Sequence, residues 1–229
     1  MNYLSGVELY YSTPIEDSNQ ITLTGEEFRH SIKVMRHAIG DKVYVTNGKG
    51  EIFLSIIKEI KKDYLTASVE KILKYENEFS NITFCIPKLK SNDRLEFAFE
   101  KCTELGITNF IIFDSRRVIH KSFKKERLQK IVLSAMKQSL RSYLPNMDAV
   151  NSLDEILSLD GRKILFEQNS EKNISELKVK KKEKYYFIFG PEGGFTNEEM
   201  NLFDEKYKLA ENRLRTETAI IKCASIIME

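Results

Sequence analysis

Two short stretches near the C-terminus hold the residue types best suited to chemistry. The first is Phe187-Ile188-Phe189-Gly190-Pro191-Glu192-Gly193-Gly194-Phe195, an apolar strand that runs into a turn with three glycines. Thr196-Asn197-Glu198-Glu199 follow, with side chains that open a helix. Glycines at such a point let backbone N–H and C=O groups approach a ligand without interference from Cβ atoms. Ligands of open α/β sheets sit at the carboxyl ends of strands. The turn lacks the Gly-Lys-Ser/Thr ending of a P-loop and is not the G-x-G-x-x-G dinucleotide fingerprint. Alone, it fits a ligand cradle, an anion nest or a tight turn with no ligand.

Twenty residues past Gly194 stands Leu214-Arg215-Thr216-Glu217-Thr218-Ala219, just before the apolar run Ile220–Met228. An arginine, an acid and two hydroxyls beside a buried helix must find partners in each other, the backbone or a ligand. A helix cap accounts for one threonine but not for the cluster. The histidines His30, His37 and His120 have no metal-ligand spacing with Cys or acidic residues, so no metal is expected. Cys85, Cys102 and Cys223 are odd in number and each lies in an apolar run, as buried free thiols of a reducing compartment would.

The elements that must position these motifs change character along the chain. Residues 1–75 read as short strands (Val7–Tyr11, Ile21–Thr24, Lys42–Thr46, Ile52–Ile60 and Tyr64–Lys71). One helix interrupts them from Thr24, with Thr24 and Glu27 at capping-box spacing. Asn47-Gly48-Lys49-Gly50 is a hairpin signal. That pattern predicts a small β-barrel of PUA-like or OB-like type. From about residue 80 strands alternate with helices: Ile82–Pro87, a helix over Asp93–Leu105, Phe110–Phe113, a helix over Lys124–Leu140, Lys163–Glu167 and Tyr185–Gly190. This is an α/β pattern with a mostly parallel sheet.

Overall charge is balanced, with 36 basic and 34 acidic residues. The distribution is not. From Ser115 to Arg141 nine Lys or Arg face a single acid, Glu126, the footprint expected for a polyanion or for a solvated helix face. The run Lys178–Lys184 reads as a solvated loop. The N-terminus lacks a signal peptide and no stretch reaches membrane-spanning length, so the expected location is the cytoplasm, with no membrane partner.

GPEGGF followed by LRTETA resembles the SPOUT superfamily of knotted methyltransferases, and within it the RsmE-type enzymes. The resemblance spans the chain. Lys101–Thr108 is similar to the family's K-A-T-E-L-G-V-T segment, and Ala135, Gln138, Ser139, Arg141 and Pro145 match A-x-x-Q-S-x-R-x-x-x-P. His30–Arg36, Gly40-Asp41 and Gly48–Gly50 resemble its H-x-x-x-V-x-R, G-D and G-K-G elements. Three departures stand out: Ala210 replaces a glycine, Asn212 with Arg213 shifts the arginine register, and Arg116 replaces an acid.

The resemblance implies a PUA-like, RNA-binding barrel at 1–75 and a knotted methyltransferase domain at 76–229. It implies S-adenosylmethionine as cofactor, methylation of a uridine N3 in small-subunit (16S) ribosomal RNA within the small ribosomal subunit, and a homodimer. Cofactor contacts then fall at Leu165, Phe166, Glu167, Gly190, Pro191, Glu192, Gly193, Gly194, Leu209, Leu214, Arg215, Thr216, Thr218 and Ala219. RNA contacts fall at His30, Arg36, Arg117, Lys121, Lys124, Lys125, Gln138 and Arg141. Arginine keeps its charge and donates through a rigid fork, so Arg141 or Arg215 is expected to stabilise the uridine oxyanion, oriented by Glu217. The competing readings are a non-catalytic RNA-binding assembly factor, a nucleotide-binding enzyme, and a ribose 2′-O methyltransferase.

Overall fold

In the computed structural model, which describes residues 4–13, 19–116 and 124–227, the N-terminal strands follow their two-residue periodicity. β1 (Leu9–Tyr11), β2 (Gln20–Thr24), β3 (Lys42–Thr46), β4 (Glu51–Ile60) and β5 (Tyr64–Lys74) form one sheet in the order β1-β3-β4-β5-β2. Along β2, Ile21 and Leu23 turn inward while their neighbours face solvent. With Tyr10, Val43, Val45, Phe53, Ile57 and Leu65 they make the core of this unit. The sheet curls into a PUA-like half-barrel. Its edges approach where the Ser12 hydroxyl donates to the Thr22 carbonyl at 3.0 Å.

The helix expected from Thr24 begins there (α1, Gly25–Arg29) but without the capping box, because Thr24 makes no side-chain cap bond. The Glu27 carboxylate is drawn instead to Lys137 Nζ, 2.6 Å away, and a charged partner outbids a backbone N–H. One π-helical turn follows (His30–Val34), and Arg36 takes a φ of +59°, a left-handed conformation rare for non-glycine residues.

The Asn47–Gly50 turn joins β3 to β4 in antiparallel register, as predicted. It also seats a distant segment. Met136–Leu144 belongs to this unit: the Gly50 N–H donates to Ser142 O at 3.0 Å, and the Leu144 N–H to Gly48 O at 2.9 Å. A Cβ on Gly50 would lie 2.3 Å from the Tyr143 hydroxyl, and its φ is +97°. Glycine is required there by both space and conformation.

The second unit comprises Glu78–Ala135 and the chain from Pro145 onward. β6 (Ile82–Pro87), β7 (Asn109–Phe113), β8 (Asn146–Val150), β9 (Arg162–Phe166), β10 (Tyr185–Phe189) and β11 (Glu205–Tyr207) form a sheet ordered β11-β9-β10-β6-β7-β8. Every described pair is parallel. The inner strands β6, β7 and β10 are buried along nearly their whole length, which explains their continuous apolar sequence. Sequence reading missed β8 and β11, the two edges, because edge strands need no such run. The helices of this unit are α2 (Asn92–Glu104), α3 (Lys125–Gln138, whose last turn falls in the first unit), α4 (Leu153–Leu157), α5 (Asn197–Met200) and α6 (Thr216–Ile227).

On one face of the sheet Phe84 packs its ring against Phe110, Phe187 and Phe189. On the other, Cys85, Ile111, Phe113, Leu165 and Ile188 meet Leu153 and Ile156 of α4. All three cysteines are free and buried, and burial pushes their thiols up. The chain steps outward from β6 to β8, then returns to β9 and inserts β10 between β9 and β6. Strand order reverses between β6 and β10, and connections that part there leave a crevice at the carboxyl ends.

Candidate functional site

At the end of β10 the backbone leaves the sheet through Gly190–Gly194. The Gly194 N–H donates back to Pro191 O at 2.8 Å, and Gly194 takes φ +67°. Thr196 then starts α5 through a reciprocal capping box with Glu199. The threonine hydroxyl of Thr216, at the start of α6, donates to the carbonyl of Gly190 at 2.9 Å. One hydrogen bond thus ties together the two motifs that stood out in the sequence.

Between them lies a cavity of about 680 Å³, within the range of roughly 300–1,000 Å³ usual for small-ligand sites. Of the residues expected at a cofactor site, Phe166, Glu167, Gly190, Pro191, Glu192, Gly194, Leu209, Leu214, Arg215, Thr216 and Ala219 line it. Leu165, Gly193 and Thr218 do not. Leu165 points to the opposite face of the sheet, into the core against α4, because successive strand residues alternate sides. Thr218 is exposed on α6, turned away by the helical repeat from Thr216 and Ala219.

The wall also includes Gln168, Phe189, Phe195, Met200, Ala210, Asn212 and Arg213, which sequence reading did not assign. Most adjoin a predicted motif, and Ala210 to Arg213 are the positions of family departure. Arg94, from the first turn of α2, is different. Among the described residues it is the one lining residue from before Phe166, and no motif marked it.

Charged groups around the cavity are tied down by specific contacts. The Glu192 carboxylate accepts from the backbone N–H of Lys90 at 3.2 and 3.3 Å, which joins the glycine turn to the segment before α2. Glu217 is largely buried, with one carboxylate oxygen 3.6 Å from Arg94 Nε and the other buried without a hydrogen-bond partner. Its expected cationic neighbour was Arg141 or Arg215. The structure places Arg94 there instead, because Glu217 sits on the face of α6 that packs on α2. Arg215 lines the cavity itself. Aromatic rings, an acid at Glu167 and cations at Arg94, Arg213 and Arg215 suit a ligand with one flat ring and charges of both signs.

The expected RNA contacts divide between the two units. His30, Arg36, Gln138 and Arg141 belong to the first and Lys124 and Lys125 to the second, whereas Arg117 and Lys121 lie outside the described residues. His30 is half-buried, its Nδ1 3.5 Å from Glu8. Arg36, Lys124, Lys125 and Gln138 are exposed, and the Arg141 N–H donates to Met136 O at 2.9 Å. Among the described residues there is no cluster of His, Cys, Asp and Glu that could hold a metal, and no helix long and apolar enough to cross a membrane.

Comparison with known proteins agrees with this architecture. Residues 76–228 match the RNA methyltransferase domain family and residues 23–70 the RNA methyltransferase PUA domain family. Ribosomal RNA small subunit methyltransferase E of Rickettsia conorii is 30% identical over 223 residues, 93% of this chain and 91% of that protein. Among solved structures, a probable rRNA-methyltransferase from Porphyromonas gingivalis superposes with a TM-score of 0.86 at 26% identity, covering 96% of this chain and 97% of the other. The ribosomal RNA small subunit methyltransferase E of Neisseria gonorrhoeae, bound to S-adenosyl methionine, shares the fold with a TM-score of 0.84 at 24% identity, covering 96% of each chain. The chain belongs to the RNA methyltransferase family that includes ribosomal RNA small subunit methyltransferase E, with an RNA methyltransferase domain that follows a PUA-like half-barrel in the sequence.

Proposed function

We propose that this protein transfers a methyl group from S-adenosylmethionine to N3 of a uridine in 16S ribosomal RNA, acting in the cytoplasm as a homodimer. One observation carries the reading: the glycine turn and the Leu214–Ala219 motif wall a single cavity at the carboxyl end of β10, joined through Thr216 and Gly190. Such a wall suits the cofactor chemically. Phe166, Phe189, Leu209 and Leu214 offer apolar surface for a purine, Glu167 an acceptor for an ammonium or ribose hydroxyls, and Arg213 a donor for a carboxylate. The Neisseria relative, bound to S-adenosyl methionine, and the relatives named for small-subunit ribosomal RNA support it.

When bound, the cofactor supplies an electrophilic sulfonium methyl. The protein's part is to hold the acceptor in line and to stabilise the charge that spreads onto the uracil oxygens as N3 loses its proton. Arg215, on the cavity wall, is one donor for that charge. Residues 1–75 contribute to RNA docking, and residues 76–229 transfer the methyl group and supply the remaining RNA contacts. His30, Arg36, Gln138 and Arg141 serve docking, together with Arg117, Lys121, Lys124 and Lys125 of the basic band. A target base inside folded RNA must be unstacked to reach the cavity.

The deciding experiment is transfer of labelled methyl from S-adenosylmethionine to 30S subunits of a strain lacking the activity, followed by nucleoside analysis. The reading requires 3-methyluridine. A 2′-O-methylated nucleoside would move the protein to the ribose-methylating class, and failure to bind the cofactor would overturn the reading.

A further inference from the structure

Arg94 is set apart from the rest of the cavity wall by its origin. All other lining residues come from three segments, 166–168, 189–200 and 209–219, that surround the expected cofactor position. Arg94 arrives from α2, which packs along α6, and its side chain remains 40% exposed at the rim. A rim position is where an incoming acceptor, rather than a ligand already enclosed by the three segments, would meet a guanidinium.

Its orientation is prepared. Glu217 keeps only 11% of its side-chain surface, yet it stays beside Arg94 with an oxygen 3.6 Å from Nε. A carboxylate this enclosed is held there by design of the packing, since an unpaired acid would be expelled or neutralised. Contact on the Nε side leaves the outer edge of the guanidinium fork to face another group, and a planar fork with two parallel donors matches an oxygen that carries partial negative charge. The Glu192 bond to the Lys90 N–H ties the segment leading into α2 to the glycine turn, four residues before Arg94.

We infer that Arg94, oriented by Glu217, is the residue that touches the acceptor base: it donates to a uracil carbonyl oxygen flanking N3 and stabilises the negative charge that appears there on deprotonation. Glu217 is then a positioning residue, acting through Arg94 rather than on substrate. The inference rests on the methyl-transfer reading above. A different source of the same chemistry is the cofactor's own carboxylate, and the two are separable by measurement.

The test uses full-length protein with 30S subunits on which the wild type has first been shown to form 3-methyluridine; absence of that product counts against the function reading, not against Arg94. Arg94→Gln should then lower kcat about 100-fold with the S-adenosylmethionine Kd, measured by calorimetry, within twofold of wild type. Its rate should recover as pH is raised, because solvent base then takes over the deprotonation that the cation favours. Arg94→Lys should restore part of the rate, and Glu217→Gln should fall between Arg94→Gln and wild type with the same alkaline recovery. Near-normal turnover by a folded Arg94→Gln protein overturns the inference. So does a tenfold or greater loss of cofactor affinity, which would make Arg94 a clamp for the cofactor carboxylate.

Discussion

Strands β9 and β10 end in opposite chemistry. At their amino ends Arg162 forms a bidentate pair with Glu205, donates to Glu183 at 3.2 Å and to the Tyr185 hydroxyl at 3.1 Å, and lies over the Tyr185 ring. Tyr185 in turn donates to Glu183, which also binds Lys180, and Asn81 holds the carbonyls of Lys180 and Glu183. Arg162, Tyr185, Lys180 and Asn81 thus all find partners within the protein. At their carboxyl ends the same strands run into the glycine turn and a cavity rimmed by Arg94, Arg213, Arg215, Glu167 and Glu192. A parallel sheet aligns both ends equally, so the difference lies in loop chemistry: one end closes its polar groups on one another, whereas the other lines an open cavity with Glu167, Arg213 and Arg215. This comparison also places Lys178–Lys184. Read from sequence as a solvated run, it contributes Lys180 and Glu183 to the closed end while its other lysines stay exposed.

The contrast can be broken by substitutions that should affect one end only. The largest effect is expected at Gly161, where φ is +135° and an added Cβ would lie 2.8 Å from the Lys184 carbonyl. Gly161→Ala should lose about 2–3 kcal/mol of stability in urea unfolding, with cofactor affinity unchanged within twofold. Next is Arg162→Ala, which strands Glu205 and Glu183 and should cost about 1–2 kcal/mol, held down by the partial exposure of all three groups. If either protein binds S-adenosylmethionine markedly more weakly, the two ends are coupled and the comparison fails.

The complementary change is Thr216→Val at the open end. It should weaken cofactor binding about tenfold, near 1.4 kcal/mol, while unfolding stability drops by only about 1 kcal/mol. Unchanged calorimetric affinity would mean that the Thr216 bond to Gly190 does not shape the cavity. The smallest effect is one of pH. Arg162 holds the Glu205 carboxyl below its usual value, and Lys180, with Tyr185 and Arg162, holds Glu183 at about 2. A depressed acid stabilises the fold above its unfolded pKa and loses that contribution as pH falls through the folded value. Glu205→Gln should therefore be less stable than wild type at neutral pH, and the gap should close as pH falls below the ordinary carboxylate value of 4.5. A gap that persists undiminished at low pH would show that the pair acts through shape rather than charge.

Much of the site was legible because its residues are contiguous. Gly190–Gly194 and Leu214–Ala219 each announce themselves through composition, and their meeting follows once one strand-to-helix turn and one helix start are recognised. The inner strands were equally plain, since burial on both faces demands unbroken apolar sequence. Other features depend on contacts that leave no local trace. The capping box at Thr24 was well spaced yet lost Glu27 to Lys137, more than a hundred residues away. Leu165 and Thr218 adjoin true wall positions, but a one-residue step in a strand and a two-residue step in a helix turn a side chain away.

Residue type and order thus determined the fold class, the family and the two motifs that wall the cavity, because those depend on periodicity and on backbone freedom encoded within a few residues. The tertiary structure alone decided that Met136–Leu144 seats on the Gly48–Gly50 turn, and that Glu217 faces Arg94 instead of Arg215. A charge selects its neighbour by distance and desolvation, and both are set by packing among elements far apart in the chain.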